Sequence, residues 1–473
     1  MAIRAIFLPS LLHLCLCAGA VFAQPGGTER VPVSLIVRGD YVLTMEEGQP
    51  VLVDGAVAII DDRILRVGPW EDINARFQAE QVLPGNGRVV MPGLVNGHTH
   101  TSMTLFRGMV DDLDLMTWLN QYVFPMEGRF VTPEFVRIGT ELACWEMIQG
   151  GTTSFVDMYF YPDTIARVVD RCGLRAIVAA PHIDFPSPGF EGWDDSFAAA
   201  IEFVAAWQGK HPRITPAFAP HAPYTVVPEH IEATARMAAK LGAPVSMHIA
   251  EAPAETEFVF EKYETSPVKH VAATGLFEQR LIGAHMIQLD AEDIALVAER
   301  GVGAVHNPTS NMKLGAGVAP VADMIAAGVN VGLGTDGAAS NNDLDMWEEI
   351  RLAALVHKLK AADPTAIPAP TALDMATRMG ANAIGLGDQV GQLSAGLQAD
   401  LIQVDFTRLR HGPLYDVMSH LVYVLDSQDV QSTIVAGQVL MLDREVLTID
   451  GEQLRKDVIR VRDEISAALS GGQ

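Results

Sequence analysis

From residue 91 to about residue 380, short apolar runs alternate with stretches in which apolar residues recur at helical spacing. Such alternation is typical of parallel strands joined by helices. The eight apolar runs are Val89–Val95, Thr153–Asp157, Ala176–Ala180, Ile214–Ala219, Val245–Ile249, Leu281–Ala284, Gly303–Val305 and Val329–Leu333. The helix candidates between them include Pro133–Gln149, Pro228–Leu241, Asp290–Arg300 and Met346–Ala361. Eight strand–helix units predict an α/β fold, a closed (β/α)8 TIM barrel over residues 89–385.

The two flanks of the predicted barrel carry a different pattern, in which short strand-like runs are separated by turn residues. These runs are Val33–Arg38, Ala56–Ile60 and Ile64–Val67 before the barrel, and Asp400–Asp405 and Ser432–Val435 after it. Because both flanks share the pattern, we predict that residues 33–88 and 386–450 form one small β-sandwich domain from the two chain ends.

The first 23 residues have the pattern of a secretory signal peptide. Arg4 gives a positive start, Ala5–Ala20 is almost wholly apolar, and Val21–Ala23 resembles a small-residue cleavage site. We therefore expect export to the periplasm or the exterior, with no stable membrane span after cleavage. Of the four cysteines, Cys144 and Cys172 would remain, either as buried free thiols or as a disulfide.

Composition narrows the range of partners. Of the 473 residues 49% are hydrophobic, which is enough for a large core. The chain has 33 basic and 58 acidic residues, a formal net charge of −25, so a nucleic-acid polymer would be repelled. A neutral small molecule such as a nucleoside would not be repelled. We expect a homo-oligomer, of an order that the sequence does not fix.

Polar residues that suit a metal site follow several of the predicted strands. They are His98 and His100 at the end of strand 1, His248 at the end of strand 5 with Glu251 three residues on, His285 at the end of strand 6, and Asp336 at the end of strand 8. The carboxyl ends of barrel strands converge on one mouth, so these side chains should meet there. Imidazoles and a carboxylate are a favourable ligand set for a divalent ion such as zinc.

A metal at this mouth would generate a hydroxide nucleophile at neutral pH by lowering the pKa of a bound water to about 7. Glu251 is placed to protonate the ring nitrogen of a heterocycle and then the leaving group. His285 would either hydrogen-bond the attacking water or serve as a further ligand or orienting group. A binuclear site needs a bridging group after strand 4, where Pro220–Pro223 has no lysine, so a single metal is favoured.

Several longer motifs connect these residues to a known family. They are Met91–His100 (MPGLVNGHTH), Met103–Gly108 (MTLFRG), His248–Glu251 (HIAE), Asn307–Leu314 (NPTSNMKL), Gly334–Asp336 (GTD) and Gly337–Met346 (GAASNNDLDM). Over residues 33–450 the chain resembles the amidohydrolase superfamily, and within it the 5′-methylthioadenosine/S-adenosylhomocysteine deaminases. The resemblance implies hydrolytic deamination of an adenine nucleoside to the inosine analogue plus ammonia, by a hydroxide bound to one divalent ion, Zn²⁺.

The resemblance also assigns roles to individual positions. It implies metal ligands at His98, His100, His248 and Asp336, catalytic groups at Glu251, His285 and Asp336, and substrate contacts at Glu127, His221, Glu251 and Trp118. Asp336 would accept a proton from the bound water, and Glu127 and His221 would bind the ribose. A carboxylate suits a vicinal diol because its oxygens can accept two hydroxyl protons. For Trp118, a place in the core is an equally good interpretation.

One departure from the family bears on the substrate. Between Arg175 and Arg213 the only basic residue, histidines aside, is Lys210, whereas relatives that take S-adenosylhomocysteine can place arginines after strand 3. This favours 5′-methylthioadenosine, 5′-deoxyadenosine or adenosine as the substrate. The alternatives are an s-triazine hydrolase or a guanine deaminase of the same superfamily, and a secreted binding protein that has lost turnover.

Overall fold

The computed structural model describes residues 30–470. The predicted signal segment, residues 1–23, lies outside this range and stays a prediction that N-terminal sequencing of the mature protein would test. Within the described range, no helix is long and apolar enough to cross a bilayer.

The chain begins with the first part of a mixed sheet. Its elements are β1 (Val31–Val42), β2 (Leu52–Ile60), β3 (Arg63–Pro69), α1 (Trp70–Arg76), β4 (Phe77–Leu83) and β5 (Arg88–Pro92). β1 is the central strand of this part of the sheet, because it pairs antiparallel with β2 and parallel with both β4 and β5. β2 continues into β3 as an antiparallel pair that forms one edge of the sheet.

Eight parallel strands then form the closed barrel. They are β6 (Leu94–Thr99), β7 (Thr152–Met158), β8 (Arg175–His182), β9 (Ile214–Pro220), β10 (Val245–Ile249), β11 (Leu281–His285), β12 (Gly303–His306) and β13 (Val331–Leu333). Almost every residue in these strands is buried, as expected when side chains fill the inside and helices cover the outside. β13 pairs with β6, which closes the barrel.

The connections between barrel strands are mostly helical. They contain α2 (Leu115–Trp118), α3 (Phe124–Phe130), α4 (Pro133–Gly150), α5 (Pro162–Cys172), α6 (Trp193–Trp207), α7 (Pro228–Leu241), α8 (Pro253–Tyr263), α9 (Pro267–Ala273), α10 (Ala291–Arg300), α11 (Pro308–Lys313) and α12 (Val321–Ala326). The barrel ends with α13 (Met346–Ala361), α14 (Ala369–Met375) and α15 (Arg378–Ala383). Several helices start at a proline and end at a left-handed glycine, as α4 does at Gly151 with φ of +81°.

The C-terminal part returns to the first sheet. Its elements are β14 (Leu401–Asp405), α16 (Val417–Tyr423), β15 (Val430–Val435), β16 (Gln438–Leu442), β17 (Glu445–Val446) and α17 (Gly451–Ser470). β14 pairs antiparallel with β5, so strands from both chain ends form one nine-stranded sheet. Leu35 and Val57 share a buried cluster with Leu401 and Ile434, so both chain ends contribute side chains to one small core. The predicted fold class is confirmed.

One strand boundary in the sequence prediction was wrong. Val89–Val95 was expected to be a single barrel strand, but the chain changes sheets at Gly93, between β5 and β6. The glycine is required because a Cβ there would lie 2.1 Å from the side chain of Thr153. Residues on both sides of Gly93 are buried, so the apolar run shows no break where the pairing partner changes.

A buried ion pair joins the barrel to the composite sheet. Arg175, at the start of β8, donates from Nε to Asp400 Oδ2 at 2.8 Å and from Nη2 to Gln398 Oε1 at 2.9 Å. Asp400 Oδ1 accepts a further bond from the backbone N–H of Ala436 at 2.7 Å. The side chains of Arg175 and Asp400 are only 2% and 1% exposed, so each depends on the other for its charge compensation.

The two remaining cysteines lie on neighbouring helices. Cys144 is on α4 and Cys172 ends α5, both buried, with Sγ atoms 2.8 Å apart. The structure holds both as thiols. Burial is the main cause that raises the pKa of the Cys144 thiol, and the neighbouring Cys172 raises it further. The raised pKa disfavours the reactive thiolate.

Candidate active site and metal centre

Five of the sequence-predicted residues converge at the carboxyl end of the barrel. His98 is on β6 and His100 directly follows it, His248 is on β10, His285 ends β11, and Asp336 follows β13. His100 Nε2 lies 3.3 Å from His248 Nε2 and 3.2 Å from Asp336 Oδ1. His98 Nε2 lies 3.5 Å from the same Asp336 oxygen. The structure therefore brings together groups that the sequence separates widely.

Backbone carbonyls orient two of the imidazoles. His100 Nδ1 is 2.5 Å from the carbonyl oxygen of Met158, and His248 Nδ1 is 2.8 Å from that of His221. A carbonyl oxygen only accepts, so each Nδ1 carries the proton and donates it. Each Nε2 then faces the centre of the cluster, the arrangement that orients histidine ligands of metals.

The two oxygens of Asp336 have separate surroundings. Oδ1 faces His98 and His100, while Oδ2 accepts hydrogen bonds from Ser310 Oγ at 2.7 Å and Ser340 Oγ at 3.0 Å. Asp336 also adopts a left-handed backbone conformation with φ of +61°. Such strain in a residue other than glycine is typical of functional sites, where the surroundings impose it.

The donor set fits a divalent ion. Both ring nitrogens of His98 are buried without a hydrogen-bond partner among the described residues, a costly arrangement that a metal would relieve. One ligand atom from each of His98, His100 and His248 can be chosen so that all lie within 4.8 Å of one another, and His98, His285 and Asp336 form a second such group. Three imidazoles with a carboxylate are ligands that zinc accepts.

Charge in this cluster is governed by burial and by Asp336. Burial lowers the pKa of the His98 imidazole to about 4 and puts the pKa of His248 well below its ordinary value. Burial also acts against charge on His100, but the Asp336 carboxylate alongside raises the pKa of that imidazole to about 9. For Asp336, burial is outweighed by the neighbouring His100 and His98 imidazoles, which hold its pKa well below the usual range. The imidazoles of His98 and His248 are therefore neutral, the form that binds metal.

Glu251 and His285 lie beside the cluster and face the same space. Glu251 Oε1 is 3.7 Å from His285 Nε2, and His285 Nε2 is 3.9 Å from Asp336 Oδ2. The opposite edge of the His285 ring is held by Asn311, whose Oδ1 is 2.9 Å from Nδ1. Burial raises the pKa of the Glu251 carboxyl, which helps it to carry a proton near neutral pH.

A cavity of about 610 Å³, part of it open to solvent, lies next to these groups. The predicted substrate contacts Trp118, Glu127 and His221 all line it. Trp118 also belongs to the hydrophobic core, and its contact with a ligand stays a prediction. Burial raises the pKa of the Glu127 carboxyl to about 7.

Some residues of the site gave no clear signal in the sequence. The cavity wall missed by sequence reasoning is mostly apolar, with Tyr159 and Tyr224 as polar members, and includes Leu115, Leu119, Val123, Phe124, Phe160, Ile183 and Leu314. Ser310, Asn311 and Ser340 lie within the quoted family motifs, so those motifs pointed to the right segments without giving the contacts. Apolar residues on helices and loops look the same in the sequence whether they face a core or a cavity.

Comparisons with known proteins agree with this geometry. A model described as "Amidohydrolase family" matches residues 89–440. A 5-methylthioadenosine/S-adenosylhomocysteine deaminase of Pelotomaculum thermopropionicum is 44% identical over 89% of this chain and 96% of its own. A 5′-deoxyadenosine deaminase of Methanosarcina mazei is 41% identical over 92% and 99%. A crystal structure of an adenosine deaminase from Xanthomonas campestris with bound zinc superposes with a TM-score of 0.90 at 42% identity, over 93% of this chain and all of its own.

Proposed function

Because this chain belongs to the amidohydrolase family, we propose that it hydrolytically deaminates an adenine nucleoside, releasing ammonia and the inosine analogue. The observation that carries the proposal is the convergence of His100, His248, Asp336 and Glu251 on one cavity, with His98 in contact with this cluster. The deaminase names of relatives and of a solved structure at 41–44% identity support the same activity.

His98, His100, His248 and Asp336 would hold one divalent ion, and we propose Zn²⁺. When bound, such an ion acidifies a water molecule to a pKa of about 7 and so provides a nucleophile at neutral pH. Zinc is supported by the imidazole-rich ligand set and by the zinc in the Xanthomonas campestris structure.

The residues of the chain would move the protons. Asp336 accepts a proton from the attacking water, and His285 hydrogen-bonds that water. Glu251 protonates the purine ring nitrogen next to the amino-bearing carbon, which makes that carbon more electrophilic. Water adds to this carbon, and Glu251 carries the proton of the added hydroxyl group to the amino group. The C–N bond then breaks to release ammonia and leave the carbonyl group, and the proton held by Asp336 returns Glu251 to its protonated form. The raised pKa of Glu251 suits this acid role.

The rest of the cavity is suited to a nucleoside with an uncharged 5′ substituent. Glu127 and His221 would bind the ribose hydroxyls, and Trp118 would pack on the ligand. Beyond Glu127 and Phe124 the cavity adjoins a second one, bordered by the loop that contains Phe185 and Pro186. Among the described residues, no lysine or arginine lines either cavity, so a carboxylate-bearing 5′ group would lack a cationic partner.

A substrate panel tests both the proposed nucleoside deamination and the proposed preference for an uncharged 5′ substituent. We expect kcat/KM for 5′-methylthioadenosine, 5′-deoxyadenosine and adenosine to exceed that for S-adenosylhomocysteine by at least about tenfold, the scale of one poorly matched group. Ammonia release is measured under identical conditions, with guanine and an s-triazine included. Turnover of guanine or the triazine alone would contradict nucleoside deamination, whereas equal use of S-adenosylhomocysteine would contradict only the 5′ preference.

Removal of the metal should abolish the activity. We expect about one divalent ion per chain by elemental analysis, loss of turnover after treatment with a chelator, and recovery on adding Zn²⁺, because the nucleophile depends on that ion. A chelated sample returned to buffer with Mg²⁺ is the control, since Mg²⁺ prefers oxygen ligands. Full turnover by metal-free protein would refute the proposed centre.

A further inference from the structure

The turn after β10 has a strained backbone. Ala250 adopts a left-handed conformation with φ of +55°. An alanine is sterically disfavoured there, whereas a glycine is not, so the conformation persists only where the surroundings impose it. The turn lies between His248 and Glu251, whose side chains both line the cavity. Its shape therefore determines where the Glu251 carboxyl points.

Glu255, in the first turn of α8, binds this turn with both carboxylate oxygens. Oε1 accepts from the backbone N–H of Ala250 and Oε2 from that of Glu251, each at 2.8 Å, and the side chain is buried. A glutamate at this helical position commonly reaches back to cap its own helix. Here its two oxygens bond the backbone N–H groups of the two residues before Ala252, the N-cap residue. The contact therefore serves the turn that carries Glu251.

The carbonyl side of the same turn is tied to the end of the neighbouring strand. The Ala250 oxygen accepts N–H bonds from Ile287 and Gln288, both at 2.9 Å, just after His285. The turn is thus held on its N–H side by a carboxylate and on its carbonyl side by the segment that follows His285. These bonds fix the backbones from which Glu251 and His285 approach each other to 3.7 Å.

We propose that Glu255 is a positioning residue, whose carboxylate keeps the left-handed turn at Ala250 and thereby aims Glu251 at the substrate ring. Glu255 is not among the residues that line the cavity, so it acts through Glu251 and not by touching the substrate. The inference rests on the proposed function for the role of Glu251 as proton donor. The contacts that support it are independent of which heterocycle is bound.

The first test is Glu255→Gln, which keeps the shape of the side chain but leaves one acceptor oxygen. Its amide NH₂ would then oppose one of the two backbone N–H groups. We expect kcat to fall about 10–100-fold with KM within about threefold and bound metal unchanged, because an orienting contact is lost while the ligands stay in place. Glu257→Gln, the same change at an exposed position of α8, is the matched control and should behave as the wild type.

A second variant separates positioning from simple stabilisation. Ala250→Gly is added to Glu255→Gln, because glycine adopts the left-handed conformation without strain. We expect the double variant to regain thermal stability while kcat stays low, since a relaxed turn no longer aims Glu251. Recovery of both quantities would make Glu255 merely structural and overturn the proposal. Wild-type kcat in Glu255→Gln alone would overturn it as well.

A crystal structure of Glu255→Gln makes the test independent of the substrate. We expect the Glu251 carboxyl to turn away from His285 relative to the wild type, and an unchanged orientation overturns the proposal. If the wild-type protein hydrolyses no adenine nucleoside, the proposed function is wrong, but the proposal on Glu255 can still be tested. The kinetic comparison is then made with whichever compound of the panel is hydrolysed.

Discussion

The Glu251→Gln protein is expected to lose about 10²–10⁴-fold in kcat, the range typical of removing a positioned general acid. Glutamine fills the same space at the cavity wall but cannot deliver a proton to the ring nitrogen or to departing ammonia. Glu251 is not one of the proposed metal ligands, so bound metal should stay at the wild-type level. The measurements are steady-state ammonia release and elemental analysis on the same samples.

Glu261→Gln is a suitable control, since it makes the same substitution at an exposed position of α8, outside the cavity. Substrate affinity in Glu251→Gln, measured by equilibrium binding, should change much less than turnover. Wild-type kcat in this variant would exclude Glu251 as the proton donor. A wild-type protein that binds nucleosides without releasing ammonia would favour the alternative of a binding protein.

The Arg175→Met protein is expected to lose about 3–5 kcal/mol in free energy of unfolding, because Asp400 would be left as a buried charge without its partner. The loss should be large since Arg175 contacts both Asp400 and Gln398 across the junction of barrel and sheet. Denaturant unfolding followed by circular dichroism measures the difference. The distance from the catalytic groups leads us to expect a nearly unchanged kcat in the folded fraction.

Two further variants make the cause of that loss clear. Arg175→Met combined with Asp400→Leu removes both charges and should be more stable than Arg175→Met alone, because no unpaired charge is buried. Arg167→Met breaks an exposed pair with Asp163 and should cost under about 1 kcal/mol. If Arg175→Met costs no more than Arg167→Met, the ion pair does not hold the two parts together.

The barrel and the position of its active-site end could be predicted because buried parallel strands produce a clear hydrophobic pattern in the sequence. A strand buried on both faces is a short apolar run, and a polar residue at its end or shortly after it stands out, as His248 and Asp336 do. The boundary at Gly93 could not be found this way, since one buried apolar run serves two different sheets. Strand pairing is a long-range property that hydrophobic pattern alone does not encode.

The groups that orient the catalytic residues were harder to find for another reason. Glu255 and Asn311 lie on helices, where a polar residue ordinarily faces solvent. Only the folded chain shows that Glu255 is buried against two backbone N–H groups and that Asn311 contacts His285. The cavity wall around Phe124 is similar, because an aromatic residue on a helix is compatible with a core, an interface or a ligand contact.

The pairing of β5 with β14 sets an order for assembly. β5 is synthesised before any barrel strand, yet one of its edges stays open until β14 emerges after the whole barrel. An open edge of this kind is a site for pairing with other chains, so the nascent protein passes through a period of exposure to aggregation. The first sheet can therefore be completed only after the last strands have been synthesised. A chaperone that covers β5 during synthesis would protect this open edge from pairing with other chains.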